Sequence, residues 1–266
     1  MFQQPIDFRD ESDALYNLLS SLSDADFARK TQFKGWTISD VVSHLHAWNQ
    51  AADLSLNNPN QFAEDRDWLV GEMMKGTTIG DVERRWLDDA RDRERLEQWH
   101  TYYREMTERF SKADPKQRVE WAGPAMSVRS SITARLMETW AHGQELYDLL
   151  GVERVNGDRI KNIAVLGVNT FGWTFANRGI EAPADRPHVR LTAPSGDTWT
   201  WNDPSETNYV AGDATEFCQT VTQVRNVKDT GLEVVGESAT LWMEIAQCFA
   251  GAATDPPAPG SRFTAK

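Results

Sequence analysis

Glu138 and His142 stand four residues apart in a stretch, 127–150, that reads as one long helix. At about 100° per residue they lie about 40° from each other, one turn above the other, so both could hold one ion from the same helix face. The same spacing also suits a simple hydrogen-bonded pair. Ile132, Leu136, Trp140, Tyr147 and Leu150 form the main apolar stripe of that helix. Glu138 and His142 fall off this stripe but are flanked by Leu146 and Leu149, which predicts that they face a cleft. A third ligand can come from the 37–54 segment, whose apolar face is Ile38, Val41, Leu45, Trp48 and Ala52. His44 lies nearer that face than His46, so His44 is the histidine expected to point inward and His46 the one expected nearer solvent. Two histidines and a carboxylate suit zinc or a similar divalent ion and leave coordination positions open. His100 and His188 read as ordinary structural or surface residues.

Both helices carry boundary signals. Thr37 precedes Ile38-Ser39-Asp40, a variant of the capping box in which Asp40 closes the first turn. Gly151 follows Leu150 as a helix-ending residue. Further helices are expected over 6–20 and 60–75. From Asp81 to Glu97 twelve of seventeen residues are charged, seven acidic and five basic. Interleaved signs of this kind predict a solvated helical face with internal ion pairs. The pattern continues as one helix through Trp99, Tyr102, Tyr103, Met106 and Phe110 to Asp114-Pro115. Residues 117–124 read as extended, and 158–176 as another helix. Trp48, Trp140, Tyr102 and Tyr103 are either core anchors or pocket walls.

Near Glu181 the period changes. Residues 188–201 alternate across Pro194-Ser195-Gly196-Asp197, a hairpin signal. A strand at 207–210, a helix at 213–224, a strand at 232–235 and a helix at 238–249 follow. The layout expected is therefore mainly α: a bundle of four or more helices over 1–180, a small α+β domain over 181–251, and a disordered tail over 252–266.

Composition excludes several classes. Lys plus Arg number 28 against 40 Asp plus Glu, a net charge of −12. Such a chain repels phosphate backbones, so no nucleic-acid partner is expected. No apolar run reaches the ~20 residues of a membrane span, and Met1–Asp10 lacks the features of a signal peptide. With two cysteines, Cys218 and Cys248, neither a disulfide framework nor a thiolate metal site is expected. These features point to the cytoplasm.

The stretch Gly35-Trp36-Thr37-Ile38-Ser39-Asp40-Val41-Val42-Ser43-His44-Leu45 resembles the helix-2 motif of the DinB / mycothiol-dependent maleylpyruvate isomerase superfamily. Ala134-Arg135-Leu136-Met137-Glu138-Thr139-Trp140-Ala141-His142-Gly143-Gln144, with Leu149-Leu150-Gly151, resembles its second motif. The resemblance implies a DinB-like bundle in which His44, Glu138 and His142 bind the metal. Residues 119–127 are similar to a metal-binding subgroup, some members of which carry a wyosine base formation label. The resemblance further implies zinc and a low-molecular-weight thiol such as mycothiol, acting on a small electrophile by S-transfer or isomerisation. An arginine of the C-terminal domain completes the site in the isomerase branch, and Arg225 is the candidate for that catalytic role here. A non-catalytic metal-binding or regulatory protein, or a hydrolase using metal-activated water, is the alternative.

Overall fold

A computed structural model describes residues 2–265, which form two compact units, 2–149 and 150–265. The first unit holds the helices α1 (Gln4–Ser20), α2 (Ile38–Asn57), α3 (Pro59–Met74), α4 (Ile79–Trp86), α5 (Asp92–Lys112) and α6 (Val128–Leu150). Between α5 and α6 a minimal antiparallel pair forms, β1 (Arg118–Val119) with β2 (Met126–Ser127). Helix α5 packs against both α1 and α2. Phe8, Leu15, Val41, Leu45, Trp99, Tyr103, Met106, Phe110, Ile132, Leu136 and Trp140 are buried in this unit. Each large apolar side chain among them contributes roughly 1.5–3 kcal/mol by leaving water.

Helix α2 starts where the capping signal put it. Thr37 accepts a hydrogen bond from the Asp40 amide, and the Asp40 carboxylate accepts one from the Thr37 amide at 2.9 Å. Gly151 ends α6 at φ +67°.

The charged stretch is not one helix. Leu87 leaves α4 in an extended conformation, and α5 starts only at Asp92, itself at φ +50°. Asp88 makes the break. Its carboxylate accepts from the Ala90 amide at 3.1 Å and from the buried Arg95 at 2.8 Å, so the local turn outcompetes helix continuation.

The second unit carries α7 (Lys161–Asn169), α8 (Phe171–Ala176), α9 (Ala214–Val221) and α10 (Glu237–Ile245). Its sheet comprises β3 (His188–Thr192), β4 (Thr198–Trp201), β5 (Tyr209–Asp213) and β6 (Glu233–Val235), in the order β4-β3-β5-β6. Strands β3 and β4 form the expected hairpin, β3 and β5 run parallel, and β5 and β6 are antiparallel. Mainly helical followed by α+β is therefore the observed fold class.

Two boundaries differ from expectation. Residues 150–180 belong with the sheet: α7 packs on α9 and α8 on α10. Gly167 shows why the first packing is close, since a Cβ there would meet Val221 at 2.9 Å. Helical periodicity records that a face is buried, not which partner buries it. Nor are the described residues from 252 onward loose. Gln223 Nε2 donates to the Thr254 carbonyl at 2.8 Å, Asn226 Nδ2 to that of Pro257 at 2.8 Å, and the Gly260 amide to Asp229 at 2.8 Å. Proline-rich composition suppresses helix and strand, but these side chains still fasten the segment. No helix among the described residues is long and apolar enough to cross a membrane.

Candidate metal centre

Helices α2 and α6 bring His44, Glu138 and His142 together, all half-buried, with one potential ligand atom from each lying within 4.8 Å of the others. His44 Nε2 stands 3.5 Å and His142 Nε2 3.3 Å from the same oxygen, Glu138 Oε2. Ligands about 2.0–2.1 Å from a tetrahedral zinc sit about 3.3 Å from one another. Glu138 thus already stands at the spacing of a metal's coordination shell from each histidine, and the chemistry of the three donors suits a divalent ion.

The charged stretch hides a fourth participant. Glu83, on the inner face of α4 beside Val82, is 3% exposed. Its Oε1 lies 2.7 Å from His44 Nδ1 and accepts from Trp48 Nε1 at 2.8 Å. A carboxylate on Nδ1 fixes the ring's tautomer and aims Nε2 at the ion, the usual arrangement behind metal-bound histidine. Sequence reasoning took Glu83 as one of the solvated charges. The only available signal was its position on the single apolar edge of α4.

The electrostatics of the cluster follow from this placement. Burial opposes a charge on His44, but Glu83 and Glu138 outweigh it and hold its pKa up at about 9. Burial also disfavours the Glu138 carboxylate, yet hydrogen bonds from His142 and His44, with the charge of Arg135, keep its pKa well below the ordinary value. His142 is lowered, first by burial and then by the charge on His44.

An aromatic wall closes one side. Trp36 stacks on His142 at 5.7 Å and tilts against His44 at 5.1 Å, while Phe33 meets His142 edge-on at 5.2 Å. The tight turn that presents them needs positive φ at Lys34 (52°) and Gly35 (68°); Gly35 adopts this without steric cost. Of the aromatics expected as walls or core, Trp48 reaches the site through Glu83 and Trp140 is fully buried core. Tyr102 and Tyr103 instead donate to Asp53 at 2.9 Å and Asp13 at 2.5 Å.

His46 does not join the cluster, and it is not near solvent either: it is 3% exposed, edge-on to Tyr102 at 5.3 Å. Its Nε2 accepts from Gln50 Nε2 at 2.9 Å. Burial, helped by Arg95, lowers its pKa to about 4. The unfolded chain therefore binds a proton near pH 6.5 that the folded chain refuses until about 4, so this residue destabilises the fold as pH falls through that window. The shift corresponds to about 3 kcal/mol. The gap between the urea midpoints of wild type and His46→Gln should be constant above pH 7 and shift in the variant's favour below 6. Parallel curves from pH 7 to 4.5 would refute this.

Arg135 precedes Glu138 by one turn of α6. It is 5% exposed, with its guanidinium 5.3 Å from the centre of the Trp121 ring. Arg225, in the second unit just beyond α9, is also buried and donates to the Val224 carbonyl at 3.2 Å.

The sequence model of the mycothiol maleylpyruvate isomerase N-terminal domain family matches residues 8–147. The chain belongs to this family. Two solved structures of a mycothiol-dependent maleylpyruvate isomerase, one of them a point mutant, share its fold. The mutant matches with TM-score 0.52 at 15% identity, the other with 0.51 at 17%. Each match covers 82% of this chain and 87% of the other. Uncharacterized proteins from two strains of Mycobacterium tuberculosis are 36% identical over 245 residues, 92% of this chain and 94% of theirs. At that coverage the similarity extends through the α+β unit as well as the maleylpyruvate isomerase-like helical unit.

Proposed function

We propose that the protein is a metal-dependent enzyme that activates a low-molecular-weight, mycothiol-like thiol for S-transfer or isomerisation of a small electrophile. The observation that carries this reading is the His44–Glu138–His142 donor set, half-buried and spaced for one ion, in a chain of the maleylpyruvate isomerase family. Zinc is the metal we assign to it, from the mixed nitrogen and oxygen donors. When bound, such an ion supplies the positive charge that converts a thiol, ordinarily near pKa ~8.5, into a thiolate at neutral pH. With three protein ligands, a coordination position is left for that thiol.

The chain's own residues do the rest. Glu83 holds His44 in one tautomer. Trp36 and Phe33 cover His142 and keep bulk water from that side, which strengthens electrostatic contacts at the site. We assign Arg225 the counter-charge for an anionic electrophile, as the family resemblance implies. We assign this activity to the cytoplasm.

Cobalt substitution tests the reading. A sulfur-to-cobalt charge-transfer band should appear when a low-molecular-weight thiol is added. It should strengthen with pH up to the bound thiol's lowered pKa, because the ligand must lose its proton. Arg225→Ala should slow turnover of an anionic electrophile with metal content unchanged. A cobalt spectrum indifferent to several thiols would refute the thiol reading and leave a water-activating or non-catalytic metal protein.

A further inference from the structure

We propose that Arg135 is a second anchor of the site, binding an acidic group, a carboxylate, on the small molecule that reaches the metal cluster. Three observations point there. The first is an unmet demand: Arg135 is 5% exposed, and both its Nε and its Nη1 are buried without a hydrogen-bond partner among the described residues. A guanidinium cannot shed its charge, and burying its N–H groups unpaired is costly. The charge is partly compensated by the Trp121 face, 5.3 Å away, but a ring face does not replace an oxygen acceptor for those two N–H groups.

The second observation is position. Arg135, Glu138 and His142 follow one another at i, i+3 and i+7 on α6, within about 60° of helix face. Arg135 therefore lies on the stripe that carries two of the three donors. Glu138 does not satisfy it through Nε or Nη1, because its Oε2 is turned toward His44 and His142.

The third is continuity. Trp36 leads to His44 at 5.1 Å, His44 to Trp48 at 6.2 Å, Trp48 to Trp121 at 5.6 Å, and Trp121 to the guanidinium. Ring contacts thus link the metal donors to the buried cation within the helical unit. An acidic group on a small molecule held at the cluster would meet there the N–H groups that lack an acceptor. Arginine favours carboxylate through charge-assisted hydrogen bonds. This recognition is built wholly within the helical unit, so it does not depend on Arg225.

The proposal rests on the metal reading only for the ligand's first anchor, and the test separates the two. Cobalt-loaded protein is titrated with mercaptoacetate, 3-mercaptopropanoate and 4-mercaptobutanoate, each against its neutral amide, following the charge-transfer band. The acid of the length that spans the two anchors should bind roughly tenfold or more tightly than its amide, the scale of a charge-assisted hydrogen bond. Arg135→Met, read on its cobalt-loaded fraction, should bring acid and amide together. If the methionine variant does not fold, Arg135→Lys keeps the charge but loses the planar fork, and should reduce the acid-to-amide ratio severalfold. A wild-type ratio in either folded variant, or no preference for the acid at any length, overturns the role of Arg135. If no thiol ligates cobalt, the thiol reading fails alone. Malonate, succinate and glutarate against their monoamides, read in the cobalt d–d spectrum, then decide Arg135 by the same comparison.

Discussion

Protein purified without chelator is expected to carry about one divalent ion per chain, and His142→Ala to carry almost none. The reason is the small number of donors. With two histidines and one carboxylate around the ion, loss of one imidazole leaves a two-ligand site, and a two-ligand site does not retain zinc through purification. His44→Ala should do the same, and it also strands Glu83, whose buried carboxylate then keeps only the Trp48 indole as partner. That variant should accordingly lose thermal stability as well as metal, whereas His142→Ala loses chiefly metal. His46→Ala is the control that discriminates: it lies two residues from His44 yet belongs to a different surface, against Tyr102 and Gln50. Its metal content should match wild type. Metal analysis by mass spectrometry decides the matter. Full occupancy in His142→Ala, or an empty site in His46→Ala, would show that another donor set binds the ion.

The clustering of His44, Glu138 and His142 was legible in the sequence because each of their helices carries its own address. The Thr37–Asp40 box fixes where α2 begins, and with it the phase that turns His44 inward. The 138–142 spacing survives any small error in the ends of α6. Glu83 was illegible for the opposite reason. In a stretch with twelve charges, residue type cannot reveal which one is buried, and the break at Asp88 that separates α4 from α5 is not announced by the charge pattern. His46 shows a related limit. A helical wheel places it away from the apolar centre, but α5 supplies Tyr102 and covers that side too. The Trp36 wall depends on a turn with two consecutive positive φ angles, at Lys34 and Gly35, of which only the glycine is suggestive in the sequence. The assignment of 150–180 to the sheet unit is a matter of tertiary partners, to which periodicity is blind.

Metal affinity should depend steeply on pH, and Glu83 should set both its steepness and its ceiling. In the metal-free cluster His44 is held as an imidazolium with a pKa of about 9, burial opposing the charge and the Glu83 and Glu138 carboxylates prevailing. An incoming ion needs the lone pair on Nε2, so it must displace that proton. Below pH 9 the apparent affinity should therefore rise about tenfold per pH unit, and above it should level off. Glu83→Gln acts on the two limbs in opposite senses. Without the carboxylate, the metal-free imidazolium loses its first supporting charge, its pKa falls, and the plateau is reached at lower pH. In the loaded site the same change weakens the acceptor that orients His44, and loss of such a partner typically lowers metal affinity 10–100-fold. The variant should thus bind clearly more weakly above pH 9 and differ much less near pH 6.5, where easier deprotonation offsets poorer orientation. Zinc competition against a chromophoric chelator, from pH 6.5 to 10, gives both curves. Proton release on loading, measured in weakly buffered solution at pH 7.5, should approach one per ion in wild type and fall in Glu83→Gln. A wild-type affinity flat between pH 7 and 9, or equal plateaus for the two proteins, would mean that Glu83 neither charges His44 nor positions it.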